Sequence, residues 1–179
     1  MRIISGNFRG RKLIKFNKEG IKPTTDKMRE SIFNIVISYL KVNEKNNNVP
    51  LKNFTVLDIF AGTGALGIEA ISRGAEKVTF IEKSRDNLNV LYKNIDLLKI
   101  SEKVKIIKRS IRKVKKINGE FDLIFMDPPY QMDLIIKKTL EKILDFKIIK
   151  KETIIVIEFA KKKQIVVPKN FEIIKKKDY

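Results

Sequence analysis

Asp127-Pro128-Pro129-Tyr130 places a carboxylate, a rigid turn and an aromatic ring directly after an apolar run. That run, residues 121–126, is typical of a buried strand, so we expect the carboxylate at the end of the strand. Proline fixes φ and carries no N–H, so the carbonyls of the turn lack a local donor. The arrangement suits a planar substrate with an NH₂ group, because the ring stacks while the acceptors hold the amine hydrogens. We therefore predict that all four residues are catalytic.

A glycine-rich turn, Phe60-Ala61-Gly62-Thr63-Gly64, lies between a second apolar run and a helical pattern. With Gly67 it has the spacing G-x-G-x-x-G, and Glu82 ends the next predicted strand twenty residues after Gly62. In a strand–turn–helix–strand–acid context, this spacing is typical of a nucleotide site in which the acid binds the ribose. The sequence therefore predicts a nucleotide-containing cofactor at this turn.

Asp58 decides between the two cofactors that fit this fingerprint, a dinucleotide and S-adenosylmethionine. It lies within the strand, four residues before Gly62. A carboxylate there repels a pyrophosphate but accepts hydrogen bonds from the ammonium group of a methionine moiety. A hydride-transfer site also needs a proton donor near a carbonyl, whereas Asp127 and the turn after it offer acceptors. We therefore predict S-adenosylmethionine rather than NAD.

The composition excludes several classes of site. The 179 residues include no cysteine and no histidine. Disulfides, thiolate or histidine metal sites and histidine-activated nucleophiles are therefore excluded, and we predict no metal. No apolar run reaches the roughly 18 residues of a membrane span, and the first residues are too poor in apolar side chains for a signal peptide. These observations predict a cytoplasmic protein.

The net charge of +18 comes from 39 basic and 21 acidic residues. It indicates a polyanionic partner, although a general bias toward lysine and isoleucine also raises it. Residues 1–20 are predicted to form a basic β-hairpin arm with an aromatic stacking face, which favours RNA over a merely solvated hairpin. The residues expected to bind RNA are Arg2, Phe8, Arg9, Arg11 and Lys12.

Strand and helix patterns alternate after the arm. Pro23-Thr24-Thr25-Asp26 is expected to open a helix with a threonine as its cap, and residues 46–50 form the best internal boundary. Strands are predicted at 54–58, 78–82, 104–108, 121–127, 153–158 and 171–175, and helices at 65–73, after Ser84 and at 133–146. This alternation predicts a doubly wound, parallel α/β sheet with helices on both faces, in one domain at residues 21–179. Four polar residues at strand ends should share one edge of the sheet: Asp58, Glu82, Ser110 and Asp127.

Three segments, residues 2–13, 22–34 and 58–70, resemble the RsmD family. These are bacterial class I S-adenosylmethionine-dependent methyltransferases that act on guanine N2 of 16S ribosomal RNA. Residues 58–67 are similar to methyltransferase motif I, and residues 127–130 to motif IV of amino methyltransferases. Arg9-Gly10-Arg11-Lys12-Leu13 and Pro23-Thr24-Thr25-Asp26 are more specific than either motif, and the likeness runs in the same order from residue 2 to the C-terminus.

The resemblance implies a Rossmann-like sheet and a role for each matched residue. The methionine end of the cofactor would contact Asp58, the turn at residues 60–64 and Gly67. Glu82 would bind both ribose hydroxyls, and Asp127, the Pro128 carbonyl and Tyr130 would position the base. The full set implied for the cofactor is Thr25, Arg29, Asp58, Phe60, Ala61, Gly62, Thr63, Gly64, Gly67, Glu82, Lys83 and Ser110. Thr25 and Arg29 would close the pocket, and Lys83 would lie beside the adenine. Ser110 stands where relatives often have an aspartate, so we expect a weaker bond to the adenine amine.

Two alternative functions fit fewer of these features. An adenine-N6 nucleic-acid methyltransferase would normally carry a separate target-recognition domain, for which the chain has no room. A non-catalytic ribosome-assembly factor would not need the intact glycines. The expected partner is 16S rRNA within the small ribosomal subunit or an assembly intermediate, and we expect a monomer. Relatives usually continue past Tyr179 with a glycine and a last strand, so either that strand is missing or the sequence is cut short.

Overall fold

Five parallel strands form one sheet, and helices alternate with them along the chain. The structure is a computed structural model that describes residues 1–16, 25–40, 49–128, 133–159 and 166–178. In chain order the elements are α1 (Asp26–Tyr39), β1 (Thr55–Ile59), α2 (Ala65–Ser72), β2 (Lys77–Ile81), α3 (Arg85–Leu98), β3 (Val104–Ile107), β4 (Phe121–Met126), α4 (Asp133–Asp145) and β5 (Ile149–Ile157). The predicted doubly wound α/β sheet is confirmed.

The strand order is β3-β2-β1-β4-β5. The chain builds outward from β1 through β2 to β3 and then returns to the other side of β1 with β4. The order therefore reverses between β1 and β4, and ligands in open α/β sheets bind at the carboxyl ends of the strands at such a point. We call the edge formed by these strand ends the carboxyl edge.

Side chains alternate between the two faces of the sheet, and each face is covered. Val56, Phe80 and Phe125 belong to the core cluster that includes residues of α1, α2 and α3. Leu57, Ile81 and their neighbours belong to the second cluster, which includes residues of α4 and of the segment 111–117. Strands buried on both faces are typical of parallel sheets. Among the described residues, no helix is long and apolar enough to cross a membrane.

Two predicted helix caps are present. The Thr25 side chain accepts a hydrogen bond from the backbone N–H of Met28, with 3.2 Å between Oγ1 and N. The Ser84 hydroxyl accepts one from Asn87 N–H at 3.4 Å. Each cap satisfies an N–H that lacks a partner within the first turn of its helix. The two caps fix where α1 and α3 begin.

The N-terminal segment, defined here as residues 1–16, packs against the rest of the chain. Its antiparallel pairing is confined to one bridge, between Arg2 and Lys12, so the predicted β-hairpin arm is not confirmed. Ile3 and Leu13 are buried in the same cluster as α1, α2 and α3. Residues 17–20 of the predicted arm lie outside the described residues, and the domain division at residue 20 stays a prediction.

Glu69, in α2, joins the N-terminal segment to the rest of the structure. Its carboxylate accepts hydrogen bonds from the backbone N–H groups of Ile4 and Ser5 at 2.9 and 3.0 Å. It also accepts one from Arg73 Nε at 3.0 Å, and the Glu69 and Arg73 side chains are 1% and 2% exposed. A buried carboxylate is stable where charge and donors compensate its lost hydration. These three donors therefore stabilise the docked segment.

Two predicted strands need correction. β5 begins at Ile149 rather than at residue 153. No strand forms at residues 171–175. Ile173 and Ile174 are 55% and 53% exposed, so this stretch buries too little apolar surface to join the sheet. Lys177 Nζ donates to Ser31 Oγ at 2.8 Å, which places the C-terminal part beside α1. Of the predicted boundary at residues 46–50, residues 49 and 50 belong to the described part of the chain and the others lie outside it.

We expect Glu69→Ala to lower the free energy of unfolding by about 3–5 kcal/mol, because it leaves the Arg73 charge buried without its carboxylate. Urea denaturation followed by circular dichroism would measure the loss. Glu141→Ala is the control, since Glu141 is half-exposed and faces Lys137 at 3.8 Å on the surface of α4. That change should cost about 0.5 kcal/mol or less. Equal losses for the two variants would contradict the role given to Glu69.

Candidate functional site

Three carboxylates meet at the carboxyl edge. Asp58 lies in β1, and Glu82 and Asp127 follow directly after β2 and β4. In the register of the sheet, Asp58 aligns with Phe80 and with Phe125. Glu82 and Asp127 each stand two residues further along, so alternation places all three side chains on the same face. This is the face that α2 covers, because Asp58 accepts a hydrogen bond from an N–H of that helix.

Asp58 is the most deeply buried of the three, with 2% exposure. Burial raises its pKa from 3.8 to about 7. The N–H of Gly67, which donates to Oδ2 at 2.9 Å, lowers that pKa, and the negative charges of Asp127 and Glu82 raise it. A cation bound beside this group would replace the missing solvation. The carboxyl edge therefore favours a positively charged ligand and disfavours a pyrophosphate.

Glu82 holds the loop between β1 and α2. Its Oε2 accepts a hydrogen bond from Gly62 N–H at 2.8 Å, and its Oε1 accepts bonds from Lys83 and Ser84 N–H at 2.7 Å each. A carboxylate has about four acceptor positions, so one position on Oε2 is left while these bonds persist. That position can receive a ligand hydroxyl, and the binding of both ribose hydroxyls by Glu82 stays a prediction.

The glycine-rich loop, residues 60–64, turns sharply from β1 into α2. Phe60, Gly62 and Gly64 have φ values of 65°, 56° and 85°. A Cβ on Gly62 would meet no atom within 4 Å, which leaves open space above the loop. A Cβ on Gly64 would stand 2.4 Å from Leu91, and one on Gly67 would stand 2.3 Å from Phe80. The last two glycines therefore permit close helix packing, and Gly62 keeps the ligand side open.

The other residues predicted for the cofactor lie in several different elements. Ser110 is half-buried three residues after β3, the strand beside β2, and Lys83 is exposed. Thr25 caps α1. Arg29 is fully buried and donates through Nη2 to the carbonyl of Arg2 and to Asp26 Oδ1, the latter at 2.9 Å. These bonds connect α1 with the N-terminal segment, and the role of Arg29 at a cofactor stays a prediction.

The predicted catalytic turn is described in part. Pro128 is buried directly after Asp127. Pro129 and Tyr130 lie outside the described residues. Asp127 is half-buried and close enough to Asp58 for its charge to raise the pKa of that group. The structure thus brings the start of the turn near the carboxylate of Asp58.

Four of the five residues predicted to bind RNA are exposed: Arg2, Arg9, Arg11 and Lys12. Arg2 Nε lies 3.7 Å from Asp26 Oδ2. The Phe8 ring is half-buried against the core, and the guanidinium carbon of Arg11 lies 5.2 Å from the ring centroid, so its stacking on RNA stays a prediction. We therefore expect electrostatic attraction to contribute more than aromatic stacking on this surface.

Glu158 is a candidate that we did not predict from the sequence. It follows directly after β5, and its N–H donates to the carbonyl of Met126 at 2.9 Å. Val156 faces the first core cluster and Ile157 the second. Alternation therefore places Glu158 on the face of Asp58, next to Asp127. The sequence signal that could have identified Glu158 is its position at the end of a predicted strand.

These residues fit a cofactor that carries positive charge and a ribose. Asp58 suits an ammonium group, Oε2 of Glu82 suits a hydroxyl, and the open side of Gly62 gives a ligand access to the loop. Among the described residues, no group of three or more aspartates and glutamates is placed to hold a metal ion.

Known proteins resemble this chain over nearly its whole length. The family model described as "Conserved hypothetical protein 95" matches residues 1–179. The "Ribosomal RNA small subunit methyltransferase D" of Buchnera aphidicola is 42% identical over 176 residues, which are 98% of this chain and 86% of the relative. The protein of the same name from Haemophilus influenzae is 36% identical over 181 residues, covering 99% and 88%. The solved "Putative methyltransferase yhhF from Escherichia coli" has a TM-score of 0.82 at 30% identity, covering 100% of this chain and 92% of that one.

The raised pKa of Asp58 predicts a pH-dependent stability. Between pH 4 and 7 the folded state keeps a proton that the unfolded chain has lost, so this group stabilises the fold at low pH and that contribution falls as pH rises. Asp58→Asn removes the titration, and its amide oxygen can still accept from Gly67. We expect its stability relative to the parent to rise from pH 4 to 7, by about 4 kcal/mol at most. Urea denaturation across this range would test it, and parallel stability curves would contradict it.

Proposed function

Because the chain belongs to the ribosomal RNA small subunit methyltransferase D family, we propose that it transfers a methyl group from S-adenosylmethionine to the exocyclic N2 amine of a guanine in 16S rRNA. Family membership supports the methylation of ribosomal RNA, and the resemblance noted above supports guanine N2. The observation that carries the proposal is the position of Asp127, which Pro128 follows directly, near Asp58 at the switch in strand order.

S-adenosylmethionine, when bound, supplies a methyl group on a positively charged sulfur. Asp58 would accept hydrogen bonds from its ammonium group, and Glu82 from its ribose. The glycine-rich loop and Gly67 would lie along the methionine end, with Lys83 and Ser110 toward the adenine. Thr25 and Arg29 are proposed to help close the pocket. The negative charge of the carboxyl edge supports a cationic cofactor over NAD.

The chemical role of Asp127 follows from the electronic structure of guanine. The N2 lone pair is delocalised into the ring, which makes the amine a poor nucleophile. Asp127 and the Pro128 carbonyl would accept its two hydrogens, which shifts the nitrogen toward sp³ geometry and directs its lone pair. The carboxylate also stabilises the positive charge that forms on nitrogen as its bond to the methyl group replaces the sulfur–methyl bond, and one proton of the amine then leaves to Asp127 or to water. Alignment of the two reactants contributes further to the rate.

The base must leave its stack to reach this turn. Extrusion costs a few kcal/mol, and stacking on Tyr130 would return about 1–3 kcal/mol. Pro129 would stiffen the turn that carries the ring. The exposed cations of the N-terminal segment, with Phe8 beside them, are proposed to bind the surrounding RNA. The proposed partner is 16S rRNA in the small subunit or an assembly intermediate, and the protein is proposed to act as a monomer in the cytoplasm.

The direct test is to incubate the purified protein with methyl-labelled S-adenosylmethionine and small subunits that lack their native methylations. Digestion to nucleosides should give labelled N2-methylguanosine from a single site. Labelled N6-methyladenosine would overturn the guanine assignment while keeping the chemistry of the turn. S-adenosylhomocysteine binding without any labelled RNA would contradict the proposed substrate.

We expect Asp127→Ala to lower kcat on these subunits at least about 100-fold, since it removes a preorganised charge at the reacting amine. The affinity for S-adenosylhomocysteine, measured by calorimetry, should stay nearly unchanged. Asp145→Ala is the control, because Asp145 is exposed at the end of α4. Equal losses of turnover and of cofactor affinity in Asp127→Ala would contradict the role at the target base.

The double change Arg9→Ala with Arg11→Ala should weaken RNA binding and flatten its salt dependence. Each lost phosphate contact lowers the slope of log K against log salt by about 0.7–0.9, so we expect a change of about 1.5. Filter binding between 50 and 200 mM salt, with 16S rRNA, would measure it. Lys137→Ala with Lys138→Ala is the matched control, because both lysines are exposed on α4, which packs on the opposite face of the sheet. An unchanged slope in the arginine variant would show that this surface does not contact RNA.

A further inference from the structure

We propose that Asn94 is a positioning residue that ties the N-terminal segment to the glycine-rich loop, so that the cofactor loop is ordered in part by the segment that contacts RNA. The inference rests on the function proposed above. Asn94 lies in α3 and is fully buried. Its Oδ1 accepts from Ile14 N–H at 2.8 Å, and its Nδ2 donates to the carbonyls of Ile14 and Thr63 at 3.2 and 3.3 Å.

The chemical complement of asparagine matches these three partners. The side-chain amide has one carbonyl oxygen and two N–H donors, and the three bonds use the oxygen and both donors. The other buried residues of α3 are Leu88, Leu91, Ile95 and Leu98, so Asn94 stands as a polar group in an apolar row. A buried amide costs free energy unless it is hydrogen-bonded. The bonds to Ile14 and Thr63 offset that cost.

The bond to Thr63 acts on the backbone of the loop. The Thr63 carbonyl and the Gly64 N–H belong to the same peptide unit. The carbonyl accepts from Asn94, and the N–H donates to the Ala61 carbonyl at 2.8 Å. This peptide plane is therefore held from both sides, while Glu82 holds the Gly62 N–H. Asn94 thus fixes the last turn of the loop before α2 begins.

The two bonds to Ile14 orient the Asn94 amide. Its oxygen faces the Ile14 N–H, which leaves Nδ2 directed at the two carbonyls. Ile14 follows closely after Arg11 and Lys12, two of the exposed cations. If the N-terminal segment detaches, Asn94 loses two of its three hydrogen bonds, and its bond to the Thr63 carbonyl weakens because the amide is no longer oriented. RNA bound to these cations would stabilise the docked segment and, through Asn94, the loop. Coupling of this kind is reciprocal, so bound cofactor should also strengthen RNA binding.

The test compares Asn94→Ala with Ser72→Ala. Ser72 Oγ donates to the Ser5 carbonyl and accepts from Phe8 N–H, at 2.6 and 2.9 Å. Ser72→Ala therefore removes two bonds to the same segment but leaves the loop contacts in place. We expect Asn94→Ala to raise the Kd of S-adenosylhomocysteine about tenfold and to speed hydrogen exchange at the Gly64 N–H, and Ser72→Ala to change the Kd less than twofold.

The parent protein provides a second measurement, which does not depend on a variant. Saturating 16S rRNA should lower its Kd for S-adenosylhomocysteine at least threefold, and Asn94→Ala should abolish that effect. An unchanged cofactor affinity in folded Asn94→Ala would overturn the inference, and so would an equal loss in a Ser72→Ala protein whose Ile14 N–H remains protected from hydrogen exchange. If Asn94→Ala does not fold, absence of coupling in the parent protein overturns it. Failure of the parent to bind S-adenosylhomocysteine at all would instead overturn the proposed function.

Discussion

The candidate site depends on the parallel register of β1 with its two neighbours. Because Asp58 aligns with Phe80 and with Phe125, the residues that follow β2 and β4 arrive at the same level and on the same face. A shift of one residue in either strand would turn its acid to the opposite face, toward α4. Strand pairing and the packing of both faces therefore decide the electrostatics of the carboxyl edge.

Two buried carboxylates, Glu69 and Asp58, differ in how far their surroundings compensate the negative charge. Glu69 faces Arg73 and two backbone N–H groups of the N-terminal segment, which compensate its charge. Asp58 receives an N–H from Gly67 but also faces the charges of Asp127 and Glu82, and its pKa rises to about 7. The first arrangement stabilises the folded chain. The second leaves a polar group whose charge is favourable when a cation arrives, which is a common cost of preorganised sites.

Much of the sheet could be predicted because strands and helices leave local patterns. The buried face of α3 and the strand ends that carry Asp58, Glu82 and Asp127 follow from hydrophobic spacing alone. The docking of the N-terminal segment could not be predicted, because it depends on Glu69 and Asn94, which lie 64 to 80 residues from their partners. The hydrophobic pattern also predicted a strand at residues 171–175 that does not form. Two isoleucines there are typical of a strand, but both remain exposed because no apolar surface covers them. The sequence places Arg29 on α1, but its hydrogen bond to the Arg2 carbonyl could not be predicted.

The net charge of the chain is positive, whereas the side chains at its carboxyl edge are acidic. A protein with a net charge of +18 attracts a nucleic-acid backbone from a distance, whereas Asp58, Glu82 and Asp127 repel phosphate at short range. A nucleotide that approaches the turn after β4 must therefore leave its phosphate outside and present its uncharged base. For the proposed substrate, the edge acts as an electrostatic filter that admits extruded bases and excludes intact backbone, whatever the nucleotide sequence around them.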